Sequence, residues 1–192
     1  MKKYCFLMFL YFGLFSCKSQ IYPIEGRVPS STIEGMIFKD TNNNFDKFEG
    51  TWEYSDATSR FRLVLQKIED YEDLGYVSDV IVGNIIYEEN GVEVINTLTN
   101  PSTSQGSDDI YHIDMFDIRD STYIRGFFED PIRSKWTTYA LRLKFSEVND
   151  ISLGLIQQLE WSVVIREFYN PNGDLGAKQA LRVPKNIILT KV

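Results

Sequence analysis

The sequence predicts an all-β protein, a single antiparallel up-and-down β-barrel of about eight strands. Short alternations of apolar and polar residues with period two recur from Trp52 to the C-terminus, the pattern of strands buried on one face. Turn signals separate them, above all Asn90-Gly91, a pair suited to the two positive-φ positions of a type I′ hairpin. Eight or nine short strands around one apolar core suggest a sandwich or, with sequential hairpins, an up-and-down barrel that leaves no exposed edge.

The elements follow in order. In "FRLVLQK" Phe61, Leu63 and Leu65 share one face, with Arg62, Val64 and Gln66 on the other. "VIVGNIIYEE", "VEVINT", "IYHIDMFDI" and "TYIRGFF" are rich in β-branched and aromatic residues and read as further strands. "YALRLKF" sets Tyr139, Leu141, Leu143 and Phe145 against Ala140, Arg142 and Lys144. "LEWSVVIRE" does the same with Leu159, Trp161, Val163 and Ile165, and "NIILTKV" closes the series. "NPNGD", from Asn170 to Asp174, marks a turn; "GAKQAL" around Ala177 has helical character that Pro184 limits.

Upstream of these strands the chain changes character. Met1-Lys2-Lys3 is a short positive start, and "YCFLMFLYFGLF" runs from Tyr4 to Phe15 without a charge, the layout of a cleavable secretory signal. Leu14-Phe15-Ser16-Cys17 resembles the lipobox of bacterial lipoproteins, although Phe15 is bulkier than the residue usual there. That resemblance implies a signal peptide over residues 1–16 and lipidation of Cys17 as the new N-terminus. Several acyl chains hold a protein stably where one does so marginally. Lys18 in place of an acidic residue implies, by the same resemblance, an outer-membrane address, facing the periplasm or the exterior. Residues 17–43, with Pro23, Pro29, "PSST" and "DTNNN", read as the lipidated cysteine and a tether; alternatively Ile33 to Phe38 forms an extra strand. The barrel domain is expected over residues 44–192.

The entry to that domain, Asn44-Phe45-Asp46-Lys47-Phe48-Glu49-Gly50-Thr51-Trp52, resembles the first signature of the lipocalins, with Phe48, Gly50 and Trp52 as the matching positions. Glu53 and Ser55 depart from the pattern. The resemblance points to the barrel rather than the sandwich, and implies that Trp52 plugs one end of the barrel and that Gly50 lets the entering chain turn tightly against it. "TTYALRL", from Thr137 to Leu143, echoes the second signature, and the basic residue of the third could be Arg182 or Lys185. Over most of residues 44–192 the chain is also similar to small Gram-negative lipoproteins that carry a lipocalin-like domain of unknown function.

Chemistry is sparse. A formal charge of −7, made more negative by loss of Lys2 and Lys3 with the signal, argues against nucleic acid, whose binding rests on Lys and Arg. Cys5 would leave with the signal, so no disulfide, thiol nucleophile or cysteine metal site is expected in the domain. His112 is the one histidine; with Asp114 it reads as a surface pair on one strand face. Zincin, P-loop, dinucleotide and nucleophile-elbow patterns are absent. The carboxylates of "EDYED", Asp108, Asp109, Asp114, Asp117 and Asp120 lack calcium-loop spacing. No catalytic residue, metal or cofactor is expected.

Aromatic and aliphatic residues on the inward faces are plentiful. In a barrel of eight strands they either fill the interior or line a site for one small ligand. Phe61, Leu63, Leu65, Tyr139, Leu141, Leu143, Trp161 and Val163 are the candidate lining, with Gly83 and Gly126 as possible gaps. The expected function is a membrane-anchored lipoprotein binding a small apolar molecule or lipid in its barrel. The alternative is a protein-interaction or envelope-structural module with a filled core.

Overall fold

The computed structural model describes residues 20–25, 35–73, 75–98, 112–129, 138–164 and 181–192. Within them the chain forms eleven strands and no helix: β1 (Ile21–Pro23), β2 (Ile37–Lys39), β3 (Gly50–Ser55), β4 (Ser59–Asp73), β5 (Tyr76–Glu89), β6 (Val92–Asn96), β7 (Ile113–Asp120), β8 (Tyr123–Glu129), β9 (Thr138–Asp150), β10 (Gly154–Val164) and β11 (Asn186–Lys191). The strands β3, β4, β5, β7, β8, β9, β10 and β11 pair antiparallel, each with the next. The ring closes where β11 meets β3 through Thr190↔Glu53 and Lys191↔Trp52. The fold is therefore a closed eight-stranded up-and-down barrel, as the alternation predicts. The signal segment, Cys17, the "NPNGD" turn and residues 176–180 of "GAKQAL" lie outside the described residues.

Period-two alternation becomes inside and outside. Phe61, Leu63 and Leu65 on β4, Tyr139, Leu141, Leu143 and Phe145 on β9, and Leu159, Trp161 and Val163 on β10 all join one core cluster. The Asn90-Gly91 hairpin forms as expected, both residues at positive φ, 51° and 75°. In β7 a bulge between Met115 and Asp117 shifts the inward row from Ile113 and Met115 to Ile118, all three fully buried. One extra residue moves the pattern by one face.

Two glycines read as gaps are the opposite. A Cβ on Gly83 would meet Leu65 Cδ2 at 2.7 Å and the Val64 carbonyl oxygen at 3.0 Å. A Cβ on Gly126 would lie 2.6 Å from Met115 Cα and closer still to the Asp114 carbonyl oxygen. These positions carry no side chain because neighbouring strands occupy the space, so they open no room for a ligand.

The segment read as a tether is also corrected in part. β1 pairs parallel with β2, and β2 pairs parallel with β5 through Ile37↔Val77 and Phe38↔Ser78. Of the two readings of Ile33 to Phe38, the extra strand is therefore the observed one for Ile37 and Phe38. The reason is an open edge: β5 begins at Tyr76 but pairs with β7 only from Ile81, and β2 covers what β7 leaves bare. Phe38 is buried and packs edge-on against Tyr76 with ring centroids 6.0 Å apart. Glu25 then bridges to Ile118 of β7.

One barrel end, called here the closed end, is where β3 and β5 begin and β9 and β11 finish. Trp52 is fully buried there, its Nε1 donating to the Phe48 carbonyl at 2.8 Å, with Phe145 edge-on at 6.2 Å. Phe45 and Phe48, on the turn that leads into β3, are equally buried. Gly50 has φ +123°, a region that disfavours side chains, and a Cβ there would press on Lys191 Cε at 3.0 Å.

Truncation of a buried aromatic costs about 3–5 kcal/mol. Trp52→Ala is expected to lower the unfolding free energy by that amount, with a correspondingly lower denaturation midpoint, and a change under about 1 kcal/mol would contradict its burial. Gly126→Ala forces two backbones apart and should give little folded protein by circular dichroism, whereas exposed Gly91→Ala should fold.

Candidate functional site

The barrel interior is built by inward residues that run from the plug, where Leu63 pairs with Trp52 and Leu65 with Gly50, towards the opposite end. Phe61, Leu63 and Leu65 come from β4, Tyr139, Leu141 and Leu143 from β9, and Trp161 and Val163 from β10; all eight are between 0% and 3% exposed. They fill the space with one another. The Phe61 and Trp161 rings lie 5.0 Å apart, Phe128 and Trp161 5.7 Å, Phe128 and Tyr139 6.2 Å, and Phe61 and Tyr87 6.3 Å. Such separations are those of rings in mutual contact. All eight candidate lining residues join one core cluster, in which the aromatic rings face each other.

Residues 181–185 fold over that cluster. Trp161 Nε1 donates to the Pro184 carbonyl at 2.9 Å, Val163 N donates to the Lys185 carbonyl at 2.8 Å, and Val183 is buried in the core. Beside them is an open depression of about 400 Å³ lined by Tyr87, Glu89, Val94, Leu181, Arg182, Val183 and Pro184. Its lining mixes apolar side chains with one acid, Glu89, and one base, Arg182. The Tyr139 hydroxyl is buried without a hydrogen-bond partner, the single unpaired polar group among the eight candidate lining residues. No group of three or more His, Cys, Asp or Glu that could hold a metal occurs among the described residues.

The closed end is the polar counterpart. Asp40 accepts from the backbone N–H groups of Asn44 and Phe45, both at 2.8 Å, and so fixes the turn that carries Phe45 and Phe48 into the barrel. Asp79 accepts from Lys39 Nζ at 2.8 Å, Asp40 N at 2.9 Å and Asp70 N at 3.1 Å. Asp70 has φ 56° at the irregularity of β4 between Ile68 and Tyr71, so one carboxylate ties the plug turn to that bulge. Lys67 continues the inward row of β4 past Leu65. Its Nζ meets Asp46 at 2.8 Å and Asp40 at 3.6 Å, and burial, which alone would lower its pKa, is outweighed by Asp46, Asp40 and Glu69, which raise it.

The basic residue against Trp52 is neither Arg182 nor Lys185. Lys191 pairs with Trp52 in register and holds its Nζ 5.2 Å from the ring centroid, within cation–π range. Arg182 and Lys185 lie before β11 at the opposite end of the barrel, exposed to solvent. The signal for Lys191 was in the sequence: Ile187, Leu189 and Lys191 alternate onto one face, so the lysine extends the core row by one step. Asp40 and Asp79 had no such signal, because their role depends on β2 inserting beside β5.

Burial raises the cost of ionising Asp79, but its bonds from Lys39, Asp40 and Asp70 more than offset this and hold its pKa below the ordinary value. The folded pKa is depressed, so the stabilisation is present above the unfolded value, about 3.9, and is lost as pH falls through the folded value. Asp79→Asn is expected to cost about 1–3 kcal/mol at pH 7, since buried donors lose a partner. In urea melts at a series of pH values, the gap between parent and variant should hold steady down to about pH 4 and narrow below it; a gap that stays constant well below that point would contradict the assignment.

Across residues 1–192 the chain matches a family described as a family of unknown function, DUF6705. No curated protein and no solved structure matches it.

Proposed function

We propose that this chain, which belongs to the DUF6705 family, is a lipid-anchored module of the cell envelope that works through its outer surface rather than by enclosing a ligand. The observation that carries this reading is the aromatic packing of Phe61, Trp161, Phe128 and Tyr139 at the level where a barrel ligand would sit, with ring centroids 5.0 to 6.2 Å apart. Of the two functions drawn from the sequence, a small-ligand carrier and an interaction or structural module, the filled interior favours the second.

Cys17 supplies the attachment in this reading: the run Leu14-Phe15-Ser16-Cys17 is similar to a lipobox, and acylation there holds the domain at the outer membrane, on its periplasmic or external face. The lipocalin-like entry Phe48, Gly50 and Trp52 belongs to the same reading, since the ring of Trp52 closes the barrel end beneath Lys191. The barrel is then a rigid body on a lipid anchor. A second reading, a small apolar ligand, is favoured only by the open depression between Tyr87, Val94 and Leu181, which lies outside the packed rings and would take a ligand at the rim.

Two measurements separate these. Mass spectrometry of the membrane-extracted protein is expected to find an acylated N-terminal Cys17, with Cys17→Ser released from the membrane; an unmodified N-terminus elsewhere would refute the anchor. Titration of the Cys17→Ser chain with fatty-acid and retinoid-type fluorescent probes is expected to show no saturable one-to-one binding. A stoichiometric adduct in native mass spectrometry, lost in a Trp161→Ala variant of unchanged circular dichroism, would restore the carrier.

A further inference from the structure

The surface of the barrel is uneven in one place. Among the described residues the large exposed apolar side chains number eight, and four of them, Val148, Ile151, Leu153 and Leu155, fall within the β9–β10 hairpin. This hairpin outruns the barrel. Phe145 and Leu159 are the last buried pair, and the ladder then continues from Ser146↔Gln158 to Asp150↔Gly154. At about 3.3 Å per residue that is a projection on the order of 16 Å.

Its tip is shaped. The Asp150 carboxylate accepts from the backbone N–H of Ser152 at 2.7 Å and of Leu153 at 2.9 Å, and Gly154 takes φ +80°. The turn is thus fixed by its own polar atoms while Ile151 is fully exposed and Leu153 and Leu155 are 77% and 61% exposed. A core gains nothing from such residues, and patches of this kind mark contact with a protein or a membrane.

Topology decides between the two. β9 ends and β10 begins at the closed end, so the hairpin projects there. β1 runs parallel to β2 and hence to β5, which also starts at that end, so Ile21, the first residue of β1, lies on the same side. Four residue steps separate Cys17 from Ile21, a reach of at most about 14 Å. Around the ring, β9 and β10 stand roughly opposite the β5 edge that holds β2 and β1. A lipid anchor at Cys17 therefore brings the closed end to the bilayer on one side, with the apolar tip facing the same plane on the other.

We propose that Ile151, Leu153 and Leu155 at the tip of the β9–β10 hairpin insert into the boundary of the phospholipid layer that holds the Cys17 anchor, giving the barrel a second point of attachment and standing it on its closed end. The inference rests on the anchor reading given under Proposed function. Charges nearby select the kind of surface: Glu69 and Asp70 at that barrel end are offset by Lys67 and Lys39, and Glu147 and Asp150 on the hairpin and Glu72 at the same end are acidic and solvent-exposed. They repel anionic headgroups, so a zwitterionic phospholipid surface is the fitting partner.

The test uses a unique thiol. Leu153→Cys in the Cys17→Ser chain without its signal is labelled with an environment-sensitive fluorophore, and Ala57→Cys, in the β3–β4 turn at the opposite end, serves as the control. On titration with phosphatidylcholine vesicles the label at 153 is expected to shift to the blue and to be quenched by lipids spin-labelled near the headgroup, and the label at 57 to stay unchanged. Ile151→Asp with Leu153→Asp should lower vesicle partitioning about tenfold or more, since each removes an apolar side chain from lipid, without changing the thermal midpoint. In lipidated protein reconstituted into phosphatidylcholine vesicles, the label at 153 should show the same shift. A lipidated protein that stays with vesicles while the label at 153 remains water-exposed would overturn the hairpin contact and leave the anchor standing. An unacylated Cys17 with a vesicle-dependent shift at 153 would overturn the anchor and leave the hairpin contact. A shift that follows protein concentration without vesicles would replace the membrane with a second copy of the chain.

Discussion

The whole barrel depends on its shortest seam. Other neighbours in the ring share between three and about a dozen register pairs, but β11 meets β3 through only Thr190↔Glu53 and Lys191↔Trp52. Without that seam β3 and β11 would be bare edges and the core would open along one side. What supports it is side-chain packing at the same residues. Trp52 anchors inward on Phe48 and Phe145, and Lys191 lays its stem across Gly50 to reach the ring. Val192 N donates to the Thr51 carbonyl at 3.1 Å, which adds one bond to the seam.

From that seam the two ends of the barrel diverge. The closed end is sealed by polar atoms that position apolar ones: Asp40 caps the turn bearing Phe45 and Phe48, and Asp79 holds Asp40, Lys39 and the Asp70 bulge together. Here an ion network serves geometry, since each carboxylate is satisfied by several backbone donors and each lysine by more than one acid. The opposite end is sealed by rings, with Trp161 tied to Pro184. A barrel closed at one end and packed with aromatics at the other is the basis of the proposal that the protein works through its outside. That is why the β9–β10 hairpin, with apolar residues no core accounts for, matters to the functional reading.

Much of this was legible in the sequence, for a physical reason. Strands with one wet face must alternate, so β3, β4, β8, β9, β10 and β11 are visible in the sequence and their inward residues Phe61, Leu63, Leu65, Tyr139, Leu141, Leu143, Trp161 and Val163 can be named from it. Where alternation fails, β-branched and aromatic content still marks the strand but not which residues face inward. β5 is buried on both faces from Ser78 to Ile85 and shows only as an apolar run, and β7 changes phase at its bulge. β1 and β2 are three residues each and polar in context, and their pairing is dictated by a bare edge of β5 that no local pattern announces. Gly83 and Gly126 look like vacancies in a list of side chains, but the space is taken by the Leu65 side chain at Gly83 and by the β7 backbone at Gly126. Lys191 was hidden in plain view, a charged residue continuing an apolar row.

Amide hydrogen exchange at the β3–β11 seam tests the closed barrel most directly. If the seam is an integral part of one cooperative sheet, the bonded amides of residues 51–53 and 190–192 exchange with a protection close to that of the β9–β10 amides beside Leu143 and Trp161, both reporting global unfolding. Exchange at the seam faster by several orders of magnitude, with β9–β10 still fully protected, would mean that the sheet is open between β3 and β11, and the closed, filled barrel would have to be abandoned.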